Sequence, residues 1–362
     1  MKIMVLGPFT EDVYVERIPK VRAVDAAERI TFHAVGQVLI SVLRKTAFIF
    51  VSLILRWPIW GALALVRFFK PFSYLFLVYP GADSDLDGYC PRRMAKSWLF
   101  SKKPAIGGII SKSAGGRGLI LVVPNTVKEF LLRKEVCKKV MWRLKLIKNV
   151  VGAKSIAIAG QVPGMLSRHN LSLEKPFVMG NKGTVFCIME TISEVMKKHY
   201  LEPGNFRIAL IGVGYVGALL LSSLKDQGHN IVGVDIQINR KGIFLPQESR
   251  PFLKEADMVI VLTPRGSDFA PYASDLKTGA IVIDDTHPKI TQRPIGVNFY
   301  KVAVGLNGVK FYPHLPGYRA EWIPGCAVEA IYSAATGQFN GSSQEEFNKR
   351  AKELGFFAHL VS

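Results

Sequence analysis

Cysteine is scarce in this chain. Four residues, Cys90, Cys137, Cys187 and Cys326, are scattered through 362 positions and form no CxxC pair. Such spacing argues against a structural zinc site and gives no disulfide framework, so a reducing compartment suits the chain. Acidic residues are also few. Asp and Glu number 28 against 47 Lys and Arg, leaving a formal charge of +19. That excess favours acidic partners, an acidic carrier protein or anionic lipid head groups among them. No dense Lys/Arg tract interleaved with aromatics occurs, which argues against nucleic acid. Internal repeats and low-complexity tracts are absent, and the opening MKIMVLGPFTEDVYVERIPK lacks a signal-peptide shape because Pro8, Glu11 and Asp12 break its apolar run.

Long uncharged runs are missing too, although 49% of residues are hydrophobic and the mean hydropathy is +0.21. Between residues 38 and 80, Arg44, Lys45, Arg56, Arg67 and Lys70 interrupt the apolar sequence, and Pro58 and Pro71 break any helix. Uncharged pieces such as 46–55 and 57–66 fall short of the roughly twenty residues that cross a bilayer. Two short helices bent at Pro58 and lying in one leaflet fit this pattern, with Trp57, Trp60 and Tyr79 at the interface and the basic groups reaching phosphates. Buried core helices and a true span are the competing readings. The in-leaflet reading implies a peripheral or monotopic protein on the cytoplasmic side of a membrane.

Ahead of this segment, residues 1–37 form an N-terminal stretch. After it, 81–118 reads as loops with short elements. RGLILVVP (117–124) looks like a buried strand, Asn125 or Thr126 caps a basic helix running to about Lys148, and AKSIAIAG (153–160) is a second strand. GTVFCIMETISEVMKKH (183–199) has helical spacing, with Cys187 on its apolar face. This alternation implies an α/β fold with largely parallel sheets: a substrate domain over 81–203, a Rossmann-type doubly wound domain over 204–300, and C-terminal helices over 301–362 that return to the first.

The sharpest signal is FRIALIGVGYVGALLLSSLKDQGHNIVGVDIQ. A buried strand, RIALI, leads into Gly212, Gly214 and Gly217 of a GxGxxG loop that also holds Val216. An apolar helix follows, then a second strand ending at Asp235. The first glycine permits the turn, the second admits a pyrophosphate, and the third lets helix and strand pack closely. Free N–H groups at the helix start and its positive dipole end favour phosphate. A lone GxGxxG is weak evidence, but strand, loop, helix, strand and acid in this order make the dinucleotide fingerprint. ADMVIVLTP (256–264), ending at Thr263 and Pro264, and GAIVIDD (279–285) continue the sheet. Asp235 should bind a ribose 2′-OH, favouring NAD(H), while Asn239, Arg240 and Lys241 leave NADP(H) open.

Three further segments bear on chemistry. GNKGTVFCIMETI (180–192) offers Gly180, Asn181, Lys182 and Thr184 to substrate oxygens, although a plain capped helix start explains it equally well. DDTHPK (284–289) lies at a strand's carboxyl end, with His287 as a candidate acid or base. IPGCAVEAIYSAATGQF (323–339) places Cys326 in a helix's first turn, where the dipole lowers a thiol pKa and favours a nucleophilic thiolate. A buried, inert cysteine is the alternative.

With these residues in place, the stretch from about Val151 to the end resembles the long-chain acyl-(acyl-carrier-protein) reductases that form aldehydes. The likeness runs through VGAKSIAIAGQVPGML, GNKGTVFCIMETI, the glycine loop, DDTHPK and PGCAVEAIYSAATGQF, where Cys326, Glu329 and Ala330 match a Cys–x–x–Glu–Ala helix. QEEFNKRAKELGFFAHL is similar to the family's closing helix. The resemblance implies that Cys326 takes the acyl group from acyl-carrier protein or acyl-CoA; in the resulting two-step reduction backbone N–H groups or Lys182 stabilise the oxyanion, with Asn181, Thr184 and Glu329 near substrate. It departs from the family in GVGYVG and Asp235, where the family has a GxTGxxG-like loop and uses NADPH. A non-covalent NAD-dependent dehydrogenase of a hydroxy or keto acid, and a membrane-associated dinucleotide-binding regulator, are the alternatives. Self-association into a homo-oligomer is compatible with each.

Overall fold

The computed structural model describes residues 42–43, 45–46, 49–50, 56–69, 72–81, 86, 91–97, 100–202, 204–236, 242–315, 317–339 and 342–362. The chain divides into Met1–Ala47 and Phe48–Ser362. In the first unit the described residues Val42, Leu43, Lys45 and Thr46 are helical; all that follows concerns the second. Cys90, Asn239, Arg240, Lys241 and the N-terminal segment 1–37 lie outside the described residues.

The elements run in order α1 (Arg56–Val66), β1 (Tyr74–Val78), α2 (Arg92–Ala95), β2 (Ala105–Ser113), β3 (Gly116–Val122), α3 (Val127–Leu132), α4 (Lys134–Val151), β4 (Ser155–Ile158), α5 (Val162–Arg168) and β5 (Phe177–Val178). Most of the first sheet and its covering helices come from these. Next come α6 (Asn181–His199), β6 (Arg207–Ile211), α7 (Tyr215–Asp226), β7 (Asn230–Val234), β8 (Ile243–Phe244), α8 (Pro246–Glu255), β9 (Met258–Val261), β10 (Ile281–Asp284) and β11 (Asn298–Lys301). The chain closes with β12 (Val304–Leu306), β13 (Phe311–Tyr312), α9 (Gly325–Thr336), α10 (Gln344–Glu353) and β14 (Phe356–Ala358).

The first sheet has the order β13-β2-β3-β1-β4-β5. Its strands β3, β1, β4 and β5 are parallel, while β2 runs antiparallel to β3 and β13 antiparallel to β2. Apolar runs such as Leu75-Phe76-Leu77 are buried completely, as a parallel sheet covered on both faces requires. The second sheet, β11-β10-β9-β6-β7-β8, is parallel throughout. Its order reverses between β6 and β9, the doubly wound pattern in which ligands bind outside the strand ends at the reversal.

Several sequence expectations need correction. The segment 38–80 does not end as an interfacial helix: Tyr74–Val78 is the central strand β1, and Tyr79 packs edge-on against Phe130, their ring centres 5.4 Å apart. The 81–118 stretch holds a nine-residue strand, β2, in a hairpin with β3. The single basic helix is two, since Arg133 adopts an extended φ of −127° and ψ of 91° between α3 and α4. Thr126 does cap α3, in a capping box with Glu129. Pro58 stands in the first turn of α1, where a missing N–H costs nothing. Among the described residues, no helix is long and apolar enough to cross a membrane.

Two helices join the domains. α6 leads from β5 to the second sheet, and α9 returns to pack against both α6 and β4. They cross at their N-terminal ends with no room for side chains. A Cβ on Gly183 would stand 2.1 Å from the Gly325 carbonyl oxygen, and one on Gly325 would stand 2.4 Å from the Thr184 Cα. A Gly183→Ala substitution should therefore destabilise by about 1–3 kcal/mol in urea denaturation, because backbone must move to admit the methyl. Gly164→Ala in α5, with nothing within 4 Å of the new carbon, should be neutral or gain roughly 0.5–1 kcal/mol.

Candidate active site

The glycine loop lies at the reversal of the second sheet. Gly212 has φ +94°, and its backbone passes so close to β9's end that a Cβ would lie 3.0 Å from the Leu262 carbonyl carbon. A Cβ on Gly217 would meet the Gly212 oxygen at 2.3 Å, so α7 can start this close to β6 only with glycine there. Gly214, by contrast, faces open space, with nothing within 4 Å of an added carbon. These are the properties a pyrophosphate needs: a tight turn, an open approach and a helix start supplying N–H groups. Asp235 follows β7, and its Oδ2 accepts from the Val213 N–H at 2.8 Å. Val216 is half-buried in the first turn of α7. Thr263 donates its hydroxyl to the Arg265 carbonyl at 3.0 Å, and Pro264 is exposed at the rim. These residues fit a dinucleotide.

The loop adjoins the first domain through Tyr215, whose hydroxyl lies 3.8 Å from the Met179 Sδ. The next residue, Gly180, has φ +76°, and a Cβ on it would stand 2.8 Å from the Cys326 Cβ. The sequence Tyr215–Met179–Gly180–Cys326 therefore links the phosphate loop to the thiol by direct contacts. Cys326 itself is half-buried, with the Gly160 and Ala327 N–H groups directed at its sulfur.

Its ionisation is opposite to expectation. Burial pushes the Cys326 thiol up to about 11, with Asp285 adding to the rise, although the backbone N–H groups pull the other way. The helix start is present, but desolvation of the charged form outweighs it. Cys187 lies close enough to feel Cys326 and is fully buried; desolvation holds its thiol well above the ordinary value.

Four residues that sequence reasoning missed line the same place. Tyr79, just past β1, accepts from the Gln161 and Val162 N–H groups at 2.8 and 3.3 Å. Its phenol is raised by burial, with the field of Cys326 adding to the effect. Gly160, just past β4, lies against that hydroxyl: a Cβ on it would stand 2.7 Å from the Tyr79 oxygen. From the second domain comes Asp285, whose carboxyl is pushed up to about 7 by burial, Lys301 opposing and Asp284 reinforcing the shift. Tyr318 completes the set, its phenol raised by burial and then by Asp285, Cys326 and Cys187.

The neighbouring acid does a different job. Asp284 is buried, accepts from the Thr286 N–H and hydroxyl and the Ile290 N–H at 2.6–2.9 Å, and lies 3.7 Å from the Lys301 ammonium. Lys301 also donates to the Asp284 and Thr286 carbonyls at 2.9 and 2.7 Å. Together they shape the turn that carries Asp285. A strand's alternation sends adjacent residues to opposite faces, and the paired acids at 284–285 carried that signal.

Other expected site residues are engaged elsewhere. The Lys182 ammonium donates to the Ser342 carbonyl, and its own N–H goes to Glu329 at 3.1 Å, which takes it from the oxyanion role. Glu329 is buried, its Oε2 also accepting from Gly183 at 3.4 Å, so it caps α6 across the helix crossing rather than reaching substrate. Thr184 donates to the Gly180 carbonyl at 2.8 Å. His287 is exposed and packs against the Tyr318 ring, the centres 5.1 Å apart, while the acid whose field reaches the thiol is Asp285. Asn181 is buried at the start of α6.

No family model matches the chain, and no curated protein does. Among solved structures, a malic enzyme from Pyrococcus horikoshii is 14% identical over 77% of this chain and 81% of its own, with a TM-score of 0.36. The methylenetetrahydrofolate dehydrogenase-cyclohydrolase of Trypanosoma brucei, complexed with NADP and an inhibitor, is 14% identical over 82% and 95%, with a TM-score of 0.33. An NADPH-dependent glyoxylate/hydroxypyruvate reductase from Sinorhizobium meliloti is 12% identical over 33% and 71%, with a TM-score of 0.25. Likeness of this extent decides nothing about chemistry.

Two ionisations can be checked. A thiol held up to about 11 instead of 9.0 should alkylate with iodoacetamide roughly 100-fold more slowly at pH 8 than an ordinary cysteine, gaining about tenfold per pH unit; mass spectrometry of the Cys326 peptide measures it. Asp285 keeps its proton in the folded state up to about 7, against 3.8 ordinarily. Its stabilising contribution is therefore complete below pH 3.8 and lost as pH rises through about 7. Asp285→Asn should raise Tm relative to the parent at pH 8 and leave it nearly unchanged at pH 4.

Proposed function

We propose that the chain is a nicotinamide-dinucleotide oxidoreductase that reduces a fatty acyl thioester to an aldehyde through Cys326. The observation that carries this reading is the contact path from the glycine loop through Met179 and Gly180 to the thiol.

The acyl group of an acyl-carrier protein or acyl-CoA is placed at Cys326, beside Tyr79, Gly160 and Asp285. Cys326 is neutral at rest, so attack requires a proton acceptor, and the Asp285 carboxylate with a pKa of about 7 suits the task. As sulfur bonds to the acyl carbon, the carbonyl oxygen gains charge. The Gly160 N–H and the Tyr79 hydroxyl, which accepts two backbone N–H groups and retains its own proton to donate, stabilise it. The bond between the acyl carbon and the carrier's sulfur then breaks, leaving the acyl group on Cys326, and the carrier thiol leaves with the proton from Asp285. When bound at the glycine loop, the reduced dinucleotide supplies a hydride to the acyl carbon. Cys326 leaves as the carbonyl re-forms and recovers a proton through Asp285, and the aldehyde departs. A two-step route splits one hard displacement into two easier ones.

The raised thiol pKa favours one second reading, a dehydrogenase in which Asp285 and Tyr79 handle the proton of a hydroxy or keto acid and Cys326 is a bystander. Substitution of the cysteine separates the two. With long-chain acyl-CoA or acyl-carrier protein and reduced cofactor, Cys326→Ala should lower aldehyde formation by at least about 1,000-fold with dinucleotide binding intact, and the parent should show an acyl adduct on Cys326 by mass. Undiminished turnover in that variant, or reduction of keto acids alone, overturns the thioester route.

Cofactor choice follows from Asp235, whose carboxylate suits a ribose 2′-OH and repels a 2′-phosphate. Asp235→Ser should reduce NADH affinity by about 10-fold and narrow the preference over NADPH, as read by fluorescence titration.

A further inference from the structure

The face of the substrate sheet opposite α9 is covered by α4 and by α1, which packs against α4. α4 turns Val136, Cys137, Val140 and Leu144 inward. Its outer stripe reads Glu135, Lys138, Lys139, Trp142, Lys145 and Leu146, all exposed, with Trp142 at 60% and the one acid, Glu135, paired to the Lys138 ammonium at 3.2 Å, so lysine outnumbers acid three to one. α1 repeats the pattern: Trp60 and Leu63 pack inward, while Leu65 stands 76% exposed. Phe68 and Phe69 follow in a short 3-10 turn, Phe69 at 85%, with the Arg67 guanidinium 5.0 Å above the Phe68 ring. Arg67 also meets the end of α4, its carbonyl lying 3.5 Å from where a Gly152 Cβ would stand. Large apolar side chains thus project beside lysines, and no Asp or Glu occurs from Arg29 to Ala82.

We infer that this α1–α4 face docks on an anionic lipid bilayer. Aromatic and leucine side chains enter the acyl boundary while lysine and arginine heads meet lipid phosphates. Charge selects the occupant. A second copy would set lysines against lysines, whereas an anionic surface complements the lysine excess and gives the exposed Leu65, Phe68, Phe69 and Trp142 an apolar boundary to enter. The inference concerns the partner of the proposed enzyme and depends on none of its acyl chemistry, so either can fail alone.

Flotation of the full chain with vesicles of phosphatidylcholine, with and without phosphatidylglycerol, tests it. Binding is expected to the mixed vesicles only and to weaken with salt. Lys138→Glu/Lys139→Glu/Lys145→Glu and Phe68→Ser/Phe69→Ser/Trp142→Ser should each reduce it about 100-fold, with dinucleotide binding unchanged as the check on folding. Brominated lipid should quench tryptophan fluorescence in the parent and less in Trp142→Phe. Vesicle binding that survives both triple variants would assign the contact to another part of the chain and overturn the inference. Concentration-dependent self-association or capture of an acidic carrier protein through this face, without vesicle binding, would overturn it in favour of a protein partner.

Discussion

Everything chemical in this molecule hangs on the crossing of α6 and α9. The two helices begin within van der Waals distance of each other because Gly183 and Gly325 present bare backbone. Glu329 then reaches from one helix to the first N–H groups of the other, satisfying donors that a helix start leaves open. Gly180, in a left-handed conformation that side chains rarely adopt, brings its Cα against Cys326. The thiol's place is therefore set by sterics at three glycines and by one buried carboxylate.

That placement decides the electrostatics. A helix N-terminus is worth about 0.3–1 kcal/mol to an adjacent anion, whereas removing a thiolate from water costs several times as much. Burial accordingly wins at Cys326, and the neighbouring Asp285 carboxyl rises with it. Both groups rise for one reason, loss of water around the charged form, which leaves the carboxyl near 7 and the thiol near 11. Asp284 and Lys301 act on the backbone instead. Their hydrogen bonds hold the turn in which Asp285 sits.

Local pattern carried much of this. The strand RIALI, the glycine spacing and the apolar helix specify their unit because each feature depends on neighbours within a few residues, and β6, α7 and β7 formed where those features stand. β1 was hidden because YLFLVYP continues an apolar stretch whose period is ambiguous, so that a buried strand and a buried helix look alike. The β2 strand was hidden by its glycines, which read as loop. His287 looked chemical as a residue type and proved to be the outer partner of a tyrosine ring, while Asp285 beside it was unremarked.

From its sequence alone the chain determined a dinucleotide-type α/β domain, the acid at the end of its second strand and a cysteine opening a late helix, since all three are written in short-range spacing. Only the tertiary structure decided what that cysteine is. Its pKa, its path to the glycine loop through Met179, and its company of Tyr79, Gly160, Asp285 and Tyr318 join residues from 79 to 326. Such proximity, and the desolvation it produces, arises only when strands distant in sequence end beside one another.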